Sequence, residues 1–180
     1  MITLNLDDTI LPHYVGHDLM DFRFNAPQKN GGVIELVVQI RDIDDPLLPD
    51  VYNIGFGPPD GSESFRDDIS LQHLSPGKVF STVMVLAITF LERNPSLFIG
   101  IDGSDDRRAY LYHRMFRYNN SYLRDTLGLT GVDWYVRLLR NGDVERDLSG
   151  HPYFKPRPEA FDFRRKANDL YRYYLINLKA

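Results

Sequence analysis

The sequence predicts a single α+β domain in which an antiparallel β-meander precedes a helix-strand-helix unit and a C-terminal hairpin, with a final helix at the C-terminus. Strand-like segments fill residues 18–57, and two long helical patterns with one strand between them fill residues 75–127. Asn141-Gly142 is a hairpin turn signal. A chain of 180 residues that is 43% hydrophobic and 26% charged can bury one full-sized core.

The first half of the chain contains three predicted strands. Residues 18–25 and 33–43 are rich in phenylalanine, valine and isoleucine, and the turn sequence Asn30-Gly31-Gly32 between them predicts a β-hairpin. Residues 51–57 form the third strand, which Pro58-Pro59 ends. Together these segments predict an antiparallel meander.

The polar segment from Pro58 to Pro76 exceeds the usual length of a connection. It is therefore a functional loop, a mobile loop or a loop that contains a short turn of helix. Ser75 as N-cap and Pro76 at the first helical position predict a helix start, and Asn94-Pro95 predicts its end. Apolar residues cover most of the circumference of this helix, which indicates burial on more than one side.

A strand at residues 96–101 leads into the second predicted helix, from about Asp105 to Leu127. Either Ser104 or Asp105 is the expected N-cap, and Gly128 is the expected C-cap. The core domain is predicted to comprise residues 1–150.

Residues 151–180 form a tail that is rich in proline, aromatic and basic residues. The predicted structure is an extended first part followed by an amphipathic helix from about Ala167, packed on the core or on a partner. The many aromatic side chains in this tail favour burial and allow a homodimer through this segment.

Composition excludes several functional classes. The absence of cysteine excludes disulfides, thiol nucleophiles and thiolate-ligated zinc, and it agrees with a cytoplasmic location. The longest apolar run, residues 79–91, is too short to span a bilayer, and the N-terminus does not have the pattern of a secretory signal. We therefore expect a soluble protein with no membrane association.

Charge is distributed unevenly along the chain, whose net charge is -4. Residues 1–100 contain 14 acidic and 6 basic residues, whereas residues 101–180 contain 11 acidic and 15 basic residues. The two halves either attract each other within the fold or leave the basic half free for an anionic partner.

The second helix carries the strongest candidate binding site. On a helical wheel its apolar side chains occupy one side, and an arginine-rich face with an interleaved tyrosine occupies the other. This arginine face can bind a protein or another anionic partner, nucleic acid included, or it can be a solvated surface paired with the acidic half. Its candidate binding residues are Arg107, Tyr110, Arg114, Arg117 and Arg124.

No catalytic set is evident, so the sequence favours a non-catalytic binding module without cofactor or metal. The five histidines lack metal-ligand spacing, and no nucleophile elbow occurs. A small nuclease or toxin that uses His113 or His151 with Arg107 and Arg114 is a less favoured alternative, because only the residue types permit it.

The segments "YNIGFG" (52–57), "GKVFSTVMVLAITFLERNP" (77–95) and "IDGSDDRRAYLY" (101–112) resemble a family of small bacterial proteins, a domain-of-unknown-function family. In this family an arginine lies shortly before Leu-Tyr, which Arg108 matches, and a second arginine occupies the position where this chain has Tyr110. The resemblance covers about residues 52–123 and implies a bacterial origin and a shared fold.

The predicted order of elements is similar to that of the acetyl-CoA-dependent N-acyltransferase fold. The similarity implies an enzyme, or a degenerate relative, in which Gly77 and Lys78 face the pyrophosphate of acetyl-CoA and Tyr112 is the general acid. The R/Q-x-x-G-x-G/A loop of that fold is absent, and the long loop after residue 57 takes its place.

Overall fold

One sheet and two helices form the body of the protein. The computed structural model describes residues 1–67, 69, 71–103 and 105–179. Within these residues the strands are β1 (Tyr14–Val15), β2 (Asp21–Pro27), β3 (Val33–Asp42), β4 (Val51–Gly57), β5 (Phe98–Asp102), β6 (Leu127–Val136), β7 (Phe154–Ala160) and β8 (Tyr173–Leu178), and the helices are α1 (Pro76–Arg93) and α2 (Asp106–Leu123). The predictions of an α+β class, of the meander and of the helix-strand-helix unit are confirmed.

The strands are ordered β1-β2-β3-β4-β5-β8-β6-β7. Strands β4 and β5 are parallel, and all other neighbours are antiparallel. The parallel pair is short, because it joins only Val51, Tyr52 and Asn53 of β4 to Phe98, Ile99 and Gly100 of β5. Among the described residues, the rest of β4, residues 54–57, is paired with β3 alone.

Local sequence determines where the helices begin. In α1 the backbone N–H of Lys78 donates to Ser75 Oγ at 3.4 Å, Pro76 occupies the first turn, and Asn94 is the C-cap, as predicted. In α2 the N–H of Arg108 donates to Asp105 Oδ1 at 2.8 Å. Asp105 is therefore the N-cap, and Ser104, the other predicted cap, lies outside the described residues. No described helix has the combination of length and hydropathy that a membrane crossing requires.

Both helices pack on one face of the sheet. The apolar residues that alternate along the strands, such as Phe24, Val38 and Ile99, form one cluster with α1 and α2. A second, smaller cluster lies on the opposite face, where the β3–β4 turn packs against the sheet; its buried members are Leu48, Val51, Val132, Tyr173 and Leu175.

The N-terminal segment crosses both helices and uses their buried polar side chains. The backbone N–H of Asn5 donates to Ser81 Oγ of α1, and that of Ile10 donates to Thr82 Oγ1. The N–H of Leu4 donates to Asn119 Oδ1 of α2 at 2.9 Å. These bonds explain why Ser81, Thr82 and Asn119 are buried among apolar side chains, because each accepts a hydrogen bond from the backbone of the N-terminal segment.

The predicted C-terminal helix from about Ala167 is wrong. Residues 173–178 form β8, which pairs with β5 on one side and β6 on the other. A strand inside a sheet with both faces covered is a continuous apolar run, and a short run of this kind has no periodicity that separates it from a buried helix. Only tertiary pairing decides between the two.

The predicted end of the second helix is also wrong. Helix α2 ends at Leu123 with Arg124 as C-cap, and Gly128 lies inside β6. A Cβ atom at Gly128 would lie 2.4 Å from Oδ1 of Asn177 in β8. The glycine therefore gives the Asn177 side chain space within the sheet and does not end a helix.

A C-terminal hairpin is present, but its strands are β6 and β7, and β7 lies in the segment predicted to be an extended tail and not directly after the Asn141-Gly142 turn. Its connection, residues 137–153, contains turns at Gly142 and Gly150. Strand β7 is an edge strand with Pro156 and Pro158, and the other edge, β1, has two residues. Both edges are thus poor templates for pairing with a further strand.

Candidate ligand-binding cleft

A cleft of about 910 Å³ opens where β4 and β5 separate. Strand pairing stops at Asn53 and Gly100, and beyond that point residues 54–57 of β4 line one side of the cleft. The first turns of α2, including Arg107, Arg108 and Tyr112, line the other side. The volume lies within the range of small-molecule sites, and the lining combines apolar and charged groups as such sites do.

The segment after β4 folds back over that strand and borders the cleft. The ring of Phe65 covers Gly55, where a Cβ atom would lie 2.5 Å from the ring. At Gly57 a Cβ atom would lie 2.0 Å from the carbonyl oxygen of Arg66. Gly57 is therefore required by the close approach of the backbone, Gly55 leaves space for the Phe65 ring, and residue 67 is brought to α2.

Arg108 joins this segment to α2. Its guanidinium donates to the carbonyl oxygen of Asp67 at 2.8 Å and lies 3.2 Å from the Asp67 carboxylate. It also lies 3.1 Å from the Asp105 carboxylate. Arg108 is therefore a structural link at the cleft, which explains the presence of an arginine before Leu111-Tyr112 in physical terms.

Tyr112 and His73 line the cleft as buried or half-buried polar groups. Burial raises the pKa of the Tyr112 phenol to about 12, although Arg108 acts in the opposite direction, so the phenol is protonated at neutral pH. Burial lowers the pKa of His73, whose Nδ1 lies 3.0 Å from Nε2 of Gln28. Because that Gln28 nitrogen is a donor, His73 Nδ1 is the acceptor and the imidazole is neutral.

The five residues of the predicted arginine face are all exposed. Three of them, Arg107, Tyr110 and Arg114, line the cleft, whereas Arg117 and Arg124 lie further along α2. Arg114 donates to the Tyr110 hydroxyl at 3.1 Å and lies 5.2 Å from the centre of its ring.

The acidic half does not neutralise this face. Among the described residues, no ion pair involves Arg107, Arg114 or Arg117, and Arg124 approaches only its neighbour Asp125, at 3.8 Å. Of the ion pairs between described residues, the contact of Arg108 with Asp67 joins the two halves. The arginine face is therefore solvated and not paired within the fold.

The residues expected to hold acetyl-CoA are not brought together. Lys78 forms an ion pair with Asp8 at 2.6 Å, and a Cβ atom at Gly77 would lie 2.5 Å from the carbonyl oxygen of Thr3. The N-terminal segment thus covers the start of α1. Lys78 lines a separate cavity of about 340 Å³, whereas Tyr112 lines the large cleft.

The two histidines of the nuclease alternative also lie apart from the arginines. His113 is 3% exposed on the core side of α2, where its ring centre lies 5.1 Å from that of Phe161. His151 is exposed in the β6–β7 connection. In the part of the chain that the structure describes, no group of three His, Asp or Glu side chains could hold a metal ion.

Sequence reasoning missed the groups that the loop brings to the cleft, namely Phe65, Asp67 and His73. One signal was available: Gly55 and Gly57 alternate within a predicted strand, and such glycines mark a close approach by another part of the chain. Nothing in the sequence indicates which part approaches.

Comparison with known proteins gives one match. No curated protein and no solved structure matches the chain. Residues 12–143 match the family described as a family of unknown function, DUF6934, and this range contains the whole segment on which the predicted resemblance rests. The chain therefore belongs to the DUF6934 family.

Proposed function

We propose that the protein is a binding module that holds an anionic partner on the arginine face of α2, with a group of that partner inserted in the adjacent cleft. The observation that carries the proposal is the position of Arg107 and Arg114 on the rim of a cleft of about 910 Å³ without any carboxylate partner among the described residues. Exposed guanidinium groups bind carboxylates and phosphates with bidentate geometry.

The lining of the cleft defines what kind of group would enter it. Leu36, Ile54 and Phe80 give it apolar walls, and Arg107 and Arg114 line it as exposed cations. Acidic residues line it as well, but Asp67 and Asp105 are paired with Arg108. A partner with a negative group next to an apolar or aromatic group fits both features. Tyr110 beside Arg114 adds a flat ring against which a planar group can stack.

Two paired charge reversals test the proposal. The inner pair is Arg107→Glu with Arg114→Glu, at the cleft, and the outer pair is Arg117→Glu with Arg124→Glu, beyond it on the same helix. Fluorescence anisotropy measures the binding of labelled poly-glutamate and of a labelled single-stranded oligonucleotide, and calorimetry measures the binding of pyrophosphate.

We expect the inner pair to weaken binding of at least one probe by about 100-fold, because two charge-assisted contacts are lost and repulsion is added. Added salt should weaken the binding to the unmodified protein. An effect of the outer pair as well would indicate an extended partner, and no effect would indicate a small ligand. The proposal fails if none of the probes binds or if the inner pair leaves binding unchanged while melting is also unchanged.

A second candidate, transfer of an acyl group from acetyl-CoA, is supported by one specific observation. Residues 54–57 of β4 line the cleft and have no strand partner on the β5 side, so their backbone groups can bind an extended ligand that carries amides. Tyr112 lines the same cleft as a protonated phenol. As an amine attacks the thioester carbonyl and the C–S bond breaks, this phenol can donate its proton to the departing thiolate, and the proton that the amine loses to solvent restores the phenol.

Calorimetric titration with acetyl-CoA tests this candidate. Under it acetyl-CoA binds, and Tyr112→Phe retains binding but loses acetyl transfer to amines. The pyrophosphate would have to lie away from Gly77 and Lys78, so Lys78→Ala should leave the affinity unchanged. Absence of heat at a millimolar concentration of acetyl-CoA would eliminate the candidate.

A further inference from the structure

The hairpin of β6 and β7 extends beyond the rest of the sheet as a two-stranded arm. Strand β8 pairs with β6 only as far as Val132, whereas β6 and β7 pair as far as Val136 and Phe154. The arm, defined as residues 133–158, contains no buried residue. Two-stranded ribbons without a core are marginally stable in water, so an arm of this size is expected to have a partner.

The two faces of the arm differ in chemistry. One face carries Asp133, Tyr135, Lys155 and Arg157, with ion pairs such as that between Arg157 and Asp133 at 3.3 Å. The opposite face is formed in the paired region by apolar side chains alone, namely Val132, Trp134, Val136, Phe154, Pro156 and Pro158. Trp134 is 38% exposed and Phe154 is 56% exposed.

Opposite charges lie at the two ends of this apolar face. The connection at the tip contains three arginines and three acidic residues. Asp143 and Glu145 are paired with Arg146 and Lys155, and Asp147 accepts backbone N–H groups, whereas Arg137 and Arg140 are exposed and make no ion pair with a described residue. At the base, Leu48 of the β3–β4 turn (residues 43–50) belongs to the same buried cluster as Val132, so the turn lies on the same side of the sheet. This turn exposes two acidic residues that make no ion pair with a described residue, namely Asp44 and Asp50.

We propose that the apolar face of the arm is the interface of a two-fold symmetric homodimer, in which the arms of two copies pack face to face in opposite directions. This arrangement places the basic tip of each copy on the acidic turn of the other, so the charge contact is made twice. A reciprocal contact between two copies requires that each chain carries both charges, one at the tip and the opposite one at the turn. Face-to-face packing is also the geometry left open by the blocked edges of the sheet.

Trp134 is the only tryptophan of the chain, so its fluorescence reports directly on the interface. Light scattering should give twice the chain mass of 20.9 kDa, and dilution should shift the Trp134 emission to the red as the mass falls. Trp134→Glu should weaken dimerisation by at least about 30-fold, because it removes a central aromatic anchor. Tyr135→Glu is the matched control, since Tyr135 is its exposed neighbour on the opposite face and should leave the dimer intact.

A double-mutant cycle tests the charge contact. Arg137→Gln with Arg140→Gln changes the tip, and Asp44→Asn with Asp50→Asn changes the turn; asparagine tolerates the positive φ of both positions, 49° and 63°. Each pair should weaken the dimer by about 10-fold, and the four changes together should weaken it by no more than either pair alone. Additive effects would overturn the reciprocal arrangement. A monomer at every concentration, or a dimer that is insensitive to Trp134→Glu, would overturn the proposal and leave the face for a different protein.

Discussion

Arginine side chains occupy opposite environments at position 165 and on the arginine face of α2. Arg165 binds both oxygens of Asp133, at 2.7 and 2.6 Å, and Glu159 at 2.7 Å, and its side chain is 11% exposed. Arg114, by contrast, is exposed and its hydrogen-bond partner is Tyr110. An arginine whose guanidinium is held by two carboxylates stabilises the fold, whereas one directed at solvent is available to a partner.

The Arg165 site holds residues 160–172 on the sheet. The guanidinium carbon of Arg165 lies 3.7 Å from the ring centre of Tyr171, whose hydroxyl donates to Glu159 at 2.7 Å and accepts from the N–H of Asp162 at 3.0 Å. A Cβ atom at Gly131 of β6 would lie 2.4 Å from the Tyr171 ring. This contact network connects the loop before β8 to both β6 and β7.

The largest expected effect is that of Arg165→Ala. We expect a loss of about 2 to 4 kcal/mol in the free energy of unfolding, because Asp133 and Glu159 are left without their shared cation. Urea denaturation measures it. Arg164→Ala, at the exposed neighbouring position, is the matched control and should change the stability by less than about 0.5 kcal/mol. Equal effects of the two substitutions would remove the distinction between the two environments.

An intermediate effect is expected at His113, which lies on α2 but faces the segment that Arg165 anchors. Neither ring nitrogen has a hydrogen-bond partner of good geometry among the described residues, and burial lowers the pKa of His113. The positive charges of Arg117 and Arg165 act in the same direction, whereas Asp162 and the backbone of Phe163 oppose it. The folded state therefore binds this proton less readily than the unfolded state.

The stability that depends on neutral His113 is complete above the unfolded pKa of about 6.5 and is lost as the pH falls below it. His113→Leu should remove this dependence, which amounts to no more than about 2 kcal/mol at pH 5. It should leave the stability at pH 8 equal or higher, because two buried nitrogens without a hydrogen bond of good geometry are removed. Chemical denaturation at pH 5 and pH 8 measures both. His151→Leu, in the exposed connection, is the control, and an identical pH profile for the two variants would contradict the assignment.

The smallest effect is expected for Arg114→Ala combined with Arg117→Ala. These side chains make no ion pair with a described residue, so the free energy of unfolding should change by less than about 0.5 kcal/mol. Thermal melting measures it. A loss as large as that of Arg165→Ala would mean that the arginine face is structural and would remove the basis of the proposed binding function.

Residues 51–123 could be predicted closely from sequence because their signals are local. Ser75 and Pro76 begin α1, Asp105 begins α2, and Val51–Gly57 is bounded by proline and glycine. The outward direction of Arg107, Arg114 and Arg117 follows from helical periodicity alone. The sequence was therefore informative wherever a cap, a turn residue or a period of 3.6 residues determines the structure.

The C-terminal segment and the cleft could not be predicted, because both depend on contacts between distant residues. Residues 173–178 form a strand because β5 and β6 provide partners on both sides. The cleft exists because β4 and β5 separate after three pairs and because Phe65 and Asp67 return to that place. Neither the register of a parallel pair nor the path of a long loop is encoded in a local pattern.

The central position of β8 has a consequence for the order of folding. Strands β5 and β6 are not neighbours, so the sheet cannot close until residues 173–178 have been synthesised. Before that point the nascent chain holds two partial sheets, each with an apolar edge that lacks its partner strand. Such edges attract other chains, and closure through sequence-distant strands is slow. The risk of aggregation for this protein is therefore greatest during its synthesis, and it should respond to chaperone supply and to the rate of translation.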